Sequence, residues 1–199
     1  SLKDRLKPLT GGKSEEIKKT KKTQSKTISI SSKELESKIT SPIAVHFQLS
    51  DVKVDRYYIS LSSGENFVVE ESVVGKWIAD EKIKKYLHDA KSYGHFYPIH
   101  GVSFDTQLAA YLVNPGTRSL GLNDLAEKYL GESAEEEDLF GEAQINPANQ
   151  ILRLVPILES ELNDREMKRL NTDLELPIQE LLCEMERSGI SVDKNLLAK

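Results

Sequence analysis

The sequence predicts an α/β domain in which helices cover a mixed central sheet, and three observations point to that class. The apolar run IAVHFQL at 43–49, bounded by Ser-Pro and Ser-Asp, is typical of a central strand. Two further strand patterns, 57–61 and 67–70, are separated by Ser-Ser-Gly-Glu, which favours a hairpin. Beyond residue 80, strand patterns alternate with helical ones, and this order favours helices packed on a sheet.

Four short elements are predicted between the hairpin and residue 104. Residues 72–80 suit a short helix with four apolar side chains to bury, namely Val73, Val74, Trp77 and Ile78. The other three are a strand at 83–87, a weak helix at 90–99 interrupted by Gly94 and Pro98, and a last strand at 101–104.

The most strongly patterned stretch is FDTQLAAYLVNPGTRSLGLNDLAEKYLG at 104–131. Asp105 is a candidate N-cap, and the apolar face expected for the first helix is Leu108, Tyr111, Leu112 and Val113. Asn-Pro-Gly at 114–116 ends that helix, because proline cannot continue the hydrogen-bond ladder. The second helix has apolar residues at helical spacing and ends at Gly131; these are Leu122, Leu125, Ala126, Tyr129 and Leu130. We expect the two helices to share a core.

Two more helices are predicted towards the C-terminus. Asn146-Pro147 is a strong helix start, with an N-cap followed by proline at the first helical position. Pro156 should kink this helix, whose apolar face is Ile151, Leu154, Val155, Leu158 and Leu162. The last helix ends at Ser188-Gly189 and carries Leu174, Ile178, Leu181, Leu182 and Met185. Cys183 lies on its pattern and is interpreted as a small helix residue rather than a nucleophile.

Composition indicates a soluble globular chain, with 38% hydrophobic and 30% charged residues among 199. No apolar run approaches the roughly 20 residues that span a bilayer, and the N-terminus lacks the apolar segment of a signal peptide. We therefore expect a cytoplasmic protein with no membrane partner.

Charge is unevenly distributed along the chain. The net charge is −5, although the first 40 residues carry eleven Lys or Arg against five Asp or Glu. Residues 10–40 are rich in Lys, Ser, Thr and Gly, a composition typical of a mobile linker. The rest of the chain is acidic and is a poor general binder of phosphate. The six acids within 132–142 are interpreted as an exposed loop, since their spacing matches no calcium loop.

Known catalytic motifs are missing from the sequence. It contains no P-loop, dinucleotide-binding glycine motif, HExxH, CxxC pair or nucleophile elbow. An active nuclease would have to build a rearranged metal site from His46, His88, Asp89 and Asp105. The competing roles for these residues are a packed histidine and helix caps. An α/β interaction module without enzymatic activity is a further alternative.

Two segments resemble one family. Residues 105–115 read Asp-Thr-x-Leu-x-x-Tyr-Leu-x-x-Pro, and 174–193 read LELPIQELLCEMERSGISVD. They are similar to the 3′–5′ exonuclease domain and to the first polymerase-domain helix of the family A polymerases, the bacterial DNA polymerase I family. The resemblance implies a ribonuclease H-like 3′–5′ exonuclease fold. It also implies four parts: the end of a 5′-nuclease domain (1–9), a basic flexible linker (10–40), an exonuclease-like domain (41–170) and the start of a polymerase domain (171–199).

The resemblance also implies where catalytic carboxylates would stand. Active proofreading domains of the family carry Asp-x-Glu on the first strand, an Asp in a helix after the fourth strand, and Tyr-x-x-x-Asp in a later helix. In this sequence His46, Gln48 and Tyr93 stand where the resemblance places the acids of the first two motifs. The segment 144–150, where the third motif would lie, contains neither Tyr nor Asp. A neutral oxygen cannot replace the charge that holds two Mg²⁺ ions.

The resemblance therefore predicts a vestigial domain with no catalytic, cofactor-binding or metal residues. Mg²⁺ is expected only in the polymerase and 5′-nuclease domains of the whole polymerase. Those two domains are the expected partners, DNA is expected to be bound through them, and a monomer is expected.

Overall fold

A mixed sheet of six strands forms the centre of the computed structural model, which describes residues 26–50, 53–62, 64–132 and 145–191. The strands are β1 (Thr27–Ser29), β2 (Ile43–Ser50), β3 (Lys53–Leu61), β4 (Asn66–Val69), β5 (Lys85–Leu87) and β6 (Val102–Asp105). Their order across the sheet is β1-β4-β3-β2-β5-β6. The antiparallel β3–β4 pair confirms the predicted hairpin, and the parallel β2–β5 and β5–β6 pairs confirm the mixed sheet.

Helices lie before, between and after these strands. They are α1 (Ser32–Glu36), α2 (Ala90–Gly94), α3 (Thr106–Val113), α4 (Leu122–Leu130), α5 (Pro147–Asp164), α6 (Lys168–Leu170) and α7 (Leu176–Ser188). A π-helical turn, Asn171–Glu175, joins α6 to α7. It ends two residues before Pro177, which has no N–H to donate to the preceding turn. Within the described residues, no helix has the length and apolar character to cross a bilayer.

The two faces of the sheet carry separate cores. Along β2, Ile43, Val45 and Phe47 point into one core, which also contains Trp77 and Tyr93. Ala44 faces the other core, built mainly by α3, α4 and α5. This division follows from the two-residue period of a strand. The chain is therefore layered, with the sheet between two sets of covering elements.

Helix ends agree well with the predicted signals. The Asp105 carboxylate accepts hydrogen bonds from the Gln107 and Leu108 N–H groups at the start of α3. The Asn146 side chain accepts from two N–H groups at the start of α5. Gly131 ends α4 with φ 70°, a left-handed conformation that favours glycine. These three predictions are confirmed.

The predicted faces of the helices have mixed outcomes. All five apolar residues predicted for α5 are buried, and the helix continues through Pro156 without interruption. For α3 the predicted face was partly wrong: Val113 is buried and Leu112 packs against the core, but Ala109 and Ala110 are also buried and Tyr111 is 49% exposed. The buried surface of α3 is therefore shifted from the predicted face towards Ala109 and Ala110.

Part of the predicted linker belongs to the folded domain. Within 10–40, residues 27–29 form β1, which pairs with β4, and α1 buries Leu35 completely. A backbone that pairs with a sheet edge and a leucine in the core do not fit a mobile segment. Residues 1–25, including the predicted 5′-nuclease end, lie outside the described residues.

Two other short elements also differ from the prediction. The helix predicted at 72–80 is only a 3₁₀ turn, Lys76–Ala79, which buries Trp77 and Ile78 and leaves Val73 68% exposed. The weak helix predicted at 90–99 ends at Gly94. Of the acidic run at 132–142, only Glu132 is described, and it is buried rather than exposed. It pairs with Arg153 and accepts from Gln150 on α5.

Lys85 is a buried charged residue that joins loops at one end of the sheet. Its Nζ donates to the carbonyl oxygens of Asp80, Ile83 and His100 at 2.7–2.8 Å. The side chain is fully buried, and burial lowers the pKa of Lys85 to about 8. Three acceptors arranged around one nitrogen match the three donors of an ammonium group. The residue therefore holds together the segments that enter β5 and β6.

Candidate functional site

The structure brings together two of the three residues that the sequence resemblance places at the family's acid positions. His46 lies on β2 and Tyr93 on α2, and Tyr93 Oη is 3.2 Å from His46 Nδ1. The two rings meet edge to face with centroids 6.1 Å apart. The Tyr93 ring also packs edge-on against Phe47 at 5.0 Å. An aromatic contact thus occupies the positions at which the resemblance places two carboxylates.

Electrostatics keep this pair neutral. Burial lowers the pKa of His46 to about 4, and the nearby His88 lowers it further. Burial raises the pKa of Tyr93, with smaller contributions in the same direction from Asp89 and Asp105. At pH 7 the imidazole and the phenol are therefore both uncharged.

Gln48, the third residue, lies two positions after His46 on the same face of β2. It is exposed, and its Oε1 accepts a hydrogen bond from Tyr58 Oη at 3.4 Å. The contact fastens Gln48 to the neighbouring strand β3. A neutral amide oxygen therefore lies where the sequence resemblance places the second carboxylate of the strand motif.

The segment at which the sequence resemblance places the third acid motif makes packing contacts. Gln144 lies outside the described residues, and Asn146 caps α5. Asn149 Nδ2 lies 3.4 Å from Ser60 Oγ and 3.3 Å from Asn66 Oδ1. Gln150 Nε2 donates to Glu132. These side chains attach the start of α5 to the sheet and to the end of α4.

The alternative site, a rearranged metal centre, would need His46, His88, Asp89 and Asp105. His88 is buried with Nδ1 2.9 Å from Thr106 Oγ1, and burial lowers its pKa although Asp105 and Asp89 act to raise it. The Asp89 carboxylate accepts from Ser92 Oγ at 2.6 Å. In the described part of the chain, no group of three or more His, Cys, Asp or Glu side chains could hold a metal ion.

Asp105 is occupied by five hydrogen bonds. Besides two N–H groups of α3, its carboxylate accepts the backbone N–H groups of Asp89 and Ala90 and the side chain of Gln179. The carboxylate is fully buried. It is therefore a junction between α2, α3 and α7, which the sequence indicated only as the cap of one helix. No local pattern could reveal Gln179 as its partner, since the two residues are 74 positions apart.

Further polar contacts join α7 to the domain. His100 Nδ1 lies 2.6 Å from Glu180 Oε1, and Lys91 Nζ lies 2.6 Å from Glu186 Oε1. Cys183 Sγ lies 3.7 Å from the Lys91 carbonyl oxygen. Burial raises the pKa of Cys183, as expected for a structural thiol rather than a nucleophile.

The donor set at 46, 48 and 93 does not fit a two-magnesium site. Magnesium prefers hard oxygen ligands, and two such ions close together need several carboxylates to balance their charge. The three side chains offer a neutral imidazole, an amide and a buried phenol. No reaction step can therefore be assigned to Mg²⁺ at these residues.

Comparison with known proteins gives a family and relatives. Residues 40–144 match the family described as DNA polymerase I, ribonuclease H-like domain. DNA polymerase I of Mycobacterium leprae (strain TN) is 34% identical over 152 residues, covering 65% of this chain and 17% of that protein. DNA polymerase I of Bacillus subtilis (strain 168) is 29% identical over 155 residues, covering 68% of this chain and 18% of that protein. The chain therefore spans less than a fifth of the length of these relatives.

A solved structure agrees with this match. The POL domain of Pol1 from M. smegmatis, in complex with DNA primer-template and dNTP, has a TM-score of 0.64 and 33% sequence identity. The match covers 78% of this chain and 30% of that chain. NrnC of Brucella melitensis with bound Mg²⁺ has a TM-score of 0.62 at 16% identity, covers 84% of this chain and 96% of its own, and shows the fold alone. The ribonuclease H-like fold implied by the sequence resemblance is confirmed.

Proposed function

Because this chain belongs to the DNA polymerase I ribonuclease H-like domain family, we propose that it is a vestigial proofreading domain with a structural role. In this proposal the segment folds as a 3′–5′ exonuclease domain but removes no nucleotides. The observation that carries the proposal is the neutral His46–Tyr93 contact at the acid positions. Metal-dependent cleavage of a phosphodiester needs charge at these positions, and the side chains supply none.

The activity proposed for the whole protein is DNA-directed DNA synthesis in replication and repair. The relatives are several times longer than this chain, and the proposal assigns polymerase activity, DNA binding and Mg²⁺ to their additional domains. A polymerase domain and a 5′-nuclease domain would be partners within one polypeptide. A cytoplasmic monomer fits this role.

The structural role is supported by the way α7 is held. Helix α7 lies in the second segment that resembles family A polymerases, and the buried Asp105 carboxylate fixes it to α2 and α3. In this role the domain braces the polymerase region and spaces it from the 5′ nuclease. Such bracing needs a folded core and no catalytic group.

The test of inactivity uses this chain and a 3′-labelled single-stranded DNA with Mg²⁺ or Mn²⁺. We expect no release of 3′ nucleotides above a blank preparation, and no heat of Mg²⁺ binding by calorimetry at millimolar concentration. Matched preparations of His46→Ala and Asp89→Ala control for contaminating nucleases, whose activity those changes would not alter. Metal-dependent release that either substitution abolishes would show an active rearranged site and overturn the proposal.

A further inference from the structure

The cleft between helix α7 and the rest of the domain has walls of different chemistry. The domain side is largely apolar and is lined by Ala90, Gly94, Tyr97, Ile99 and Val102. The α7 side is mostly polar and is lined by Leu176, Gln179, Glu180, Cys183 and Arg187. The cleft has an empty volume of about 340 Å³, part of which is open to solvent. Apolar side chains on α7 would match the domain wall better than the polar ones that now face it.

The apolar side chains of α7 lie on the opposite side of the helix. Three of them are 39–60% exposed, namely Ile178, Leu182 and Met185. Charged contacts hold the polar side inward, since Glu180 contacts His100 and Glu186 contacts Lys91. An amphipathic helix gains most when its apolar side is buried. The present orientation of α7 therefore leaves that apolar burial unused.

The π-helical turn Asn171–Glu175 sets the rotation of α7. Its closing hydrogen bond runs from the Leu176 N–H to the Asn171 carbonyl oxygen, so the turn holds one residue more than an α-helical turn. The Asn171 side chain is 1% exposed, and its Oδ1 has no hydrogen-bond partner among the described residues. A buried acceptor without a partner is destabilising. The turn therefore stores a cost that a different turn could relieve.

Conversion of the π-helical turn to an α-helical one would rotate α7. Each residue of an α-helix adds about 100° of rotation and about 1.5 Å of rise, so each side chain of α7 would move to the place of the residue that now follows it. On the inner side, three apolar residues would replace polar ones: Ile178 for Gln179, Leu182 for Cys183 and Met185 for Glu186. On the outer side, two acids would replace apolar residues: Glu180 for Leu181 and Glu184 for Met185.

We propose that the Asn171–Glu175 turn is a register switch that alternates α7 between these two orientations. In the π register, which is the orientation described above, the outer surface of α7 is largely apolar. In the α register, that surface is acidic and apolar side chains fill the cleft. The balance depends on salt, because ions screen the charged contacts of the π register and sulfate strengthens the apolar burial of the α register.

The experiment follows two thiol reporters in this chain with iodoacetamide, and each rate is divided by that of the same variant unfolded in urea. Cys183, the only cysteine, faces α2 in the π register and turns outward in the α register. Leu182→Cys in a Cys183→Ser background reports the opposite, since position 182 is 40% exposed in the π register and turns inward. Rotation therefore changes the two rates in opposite directions, whereas detachment of α7 raises both.

Removal of both charged contacts favours the α register. The variant is Lys91→Ala with Glu180→Ala, measured in about 1 M sodium sulfate. Its two changes act in opposite directions on the pKa of Cys183, which Glu180 raises and Lys91 lowers. We expect alkylation of Cys183 to accelerate at least about fivefold and alkylation of the Leu182→Cys reporter to slow at least about fivefold.

The matched control is Lys84→Ala with Glu184→Ala. It also removes one exposed Lys and one exposed Glu, and neither of them forms an ion pair within the part of the chain that the structure describes. Both alkylation rates should stay at their wild-type values in this control.

Deletion of the exposed Asp173 tests the turn itself. It removes the additional residue, so the remaining residues can form an α-helical turn that keeps the present inner side of α7. In combination with this deletion, the Lys91→Ala, Glu180→Ala variant should keep both wild-type rates. Acceleration of both reporters in the variant without the deletion, no change in either, or a response that survives the deletion would overturn the proposal. A deletion that unfolds the chain, seen as lost circular dichroism, would also contradict it, because the turn would then hold no additional residue.

Discussion

Asp105 Oδ2 accepts a hydrogen bond from Gln179 Nε2 at 2.7 Å, across 74 residues of sequence. The same oxygen accepts the N–H of Ala90 at 2.7 Å, while Oδ1 caps α3. One buried carboxylate thereby holds three helices. Asp105 lies outside the positions at which the sequence resemblance places the family's metal-binding acids, and its role here is to hold these helices together.

Replacing Gln179 tests this junction. Gln179→Ala removes the hydrogen bond but leaves the four backbone donors to Asp105, so we expect a loss of about 1–2 kcal/mol in the free energy of unfolding. Hydrogen exchange of α7 amides should accelerate more than that of α5 amides. Glu184→Ala, at an exposed position on the same helix, should change stability by less than about 0.5 kcal/mol. Equal effects of the two substitutions would contradict the role assigned to Gln179.

The contribution of Tyr93 to stability can be tested with two substitutions, one that removes the ring and one that removes only the hydroxyl. Tyr93→Asp removes the ring that packs against Phe47 and buries a carboxylate, so we expect a loss of about 3–5 kcal/mol. Tyr93→Phe keeps the ring, loses only the contact with His46, and should cost about 1 kcal/mol. Urea unfolding followed by the fluorescence of the buried Trp77, the only tryptophan, measures both.

The packing around Tyr93 also predicts that placing acids at 46, 48 and 93 will not produce nuclease activity. We expect the combined variant His46→Asp, Gln48→Glu and Tyr93→Asp to release no 3′ nucleotides in Mg²⁺, because the site around residue 93 is packed as a core. Metal-dependent nuclease activity in this variant would show that the side chains at 46, 48 and 93 alone prevent cleavage, and that the packing around residue 93 does not.

His46 should make the stability depend on pH. Its folded pKa of about 4 lies below the usual value of 6.5, so between these values the unfolded chain binds a proton that the folded chain does not. The contribution to stability is complete above pH 6.5 and is lost as pH falls towards 4. At pH 4.5 the loss should be about 2–3 kcal/mol.

The measurement compares urea unfolding of wild type and His46→Gln at pH 7.5 and pH 4.5. Glutamine retains an acceptor for Tyr93 but does not titrate, so the variant should lose less stability than the wild type on acidification. His88, whose pKa is also lowered by burial, titrates in both proteins, and only the wild type has its electrostatic interaction with His46. An identical pH dependence of the two proteins would contradict the burial of a neutral His46.

The contribution of the buried Lys85 ammonium group to stability can be tested by substitution. Lys85→Met leaves the carbonyl oxygens of Asp80, Ile83 and His100 without this donor, and we expect a loss of about 2–4 kcal/mol at pH 7. The neighbouring Lys84 is exposed, and Lys84→Met should stay within about 0.5 kcal/mol of wild type. Thermal unfolding by circular dichroism distinguishes them, and similar midpoints would argue against a structural role for the Lys85 charge.

The sequence predicted best where the signal lies within a few residues. The caps at Asp105 and Asn146, the glycine end of α4 and the buried face of α5 are all local patterns, and the structure has each of them. The predictions from sequence failed where tertiary packing decides which face of a helix is buried or whether a segment becomes a strand. The face of α3 follows Ala109 and Ala110, and residues 27–29 become a strand because β4 leaves a sheet edge to pair with.

The sequence by itself determined the central strand β2, the β3–β4 hairpin, the helix caps and the lack of carboxylates at 46, 48 and 93. Only the tertiary structure decided that Tyr93 contacts His46 and that Gln179 donates a hydrogen bond to Asp105. It also decided that α7 leaves large apolar side chains such as Leu181 and Met185 exposed. Local propensity depends on neighbours in the chain, whereas these contacts join residues 47 and 74 positions apart. Their formation depends on how the sheet and helices pack, which no short segment encodes.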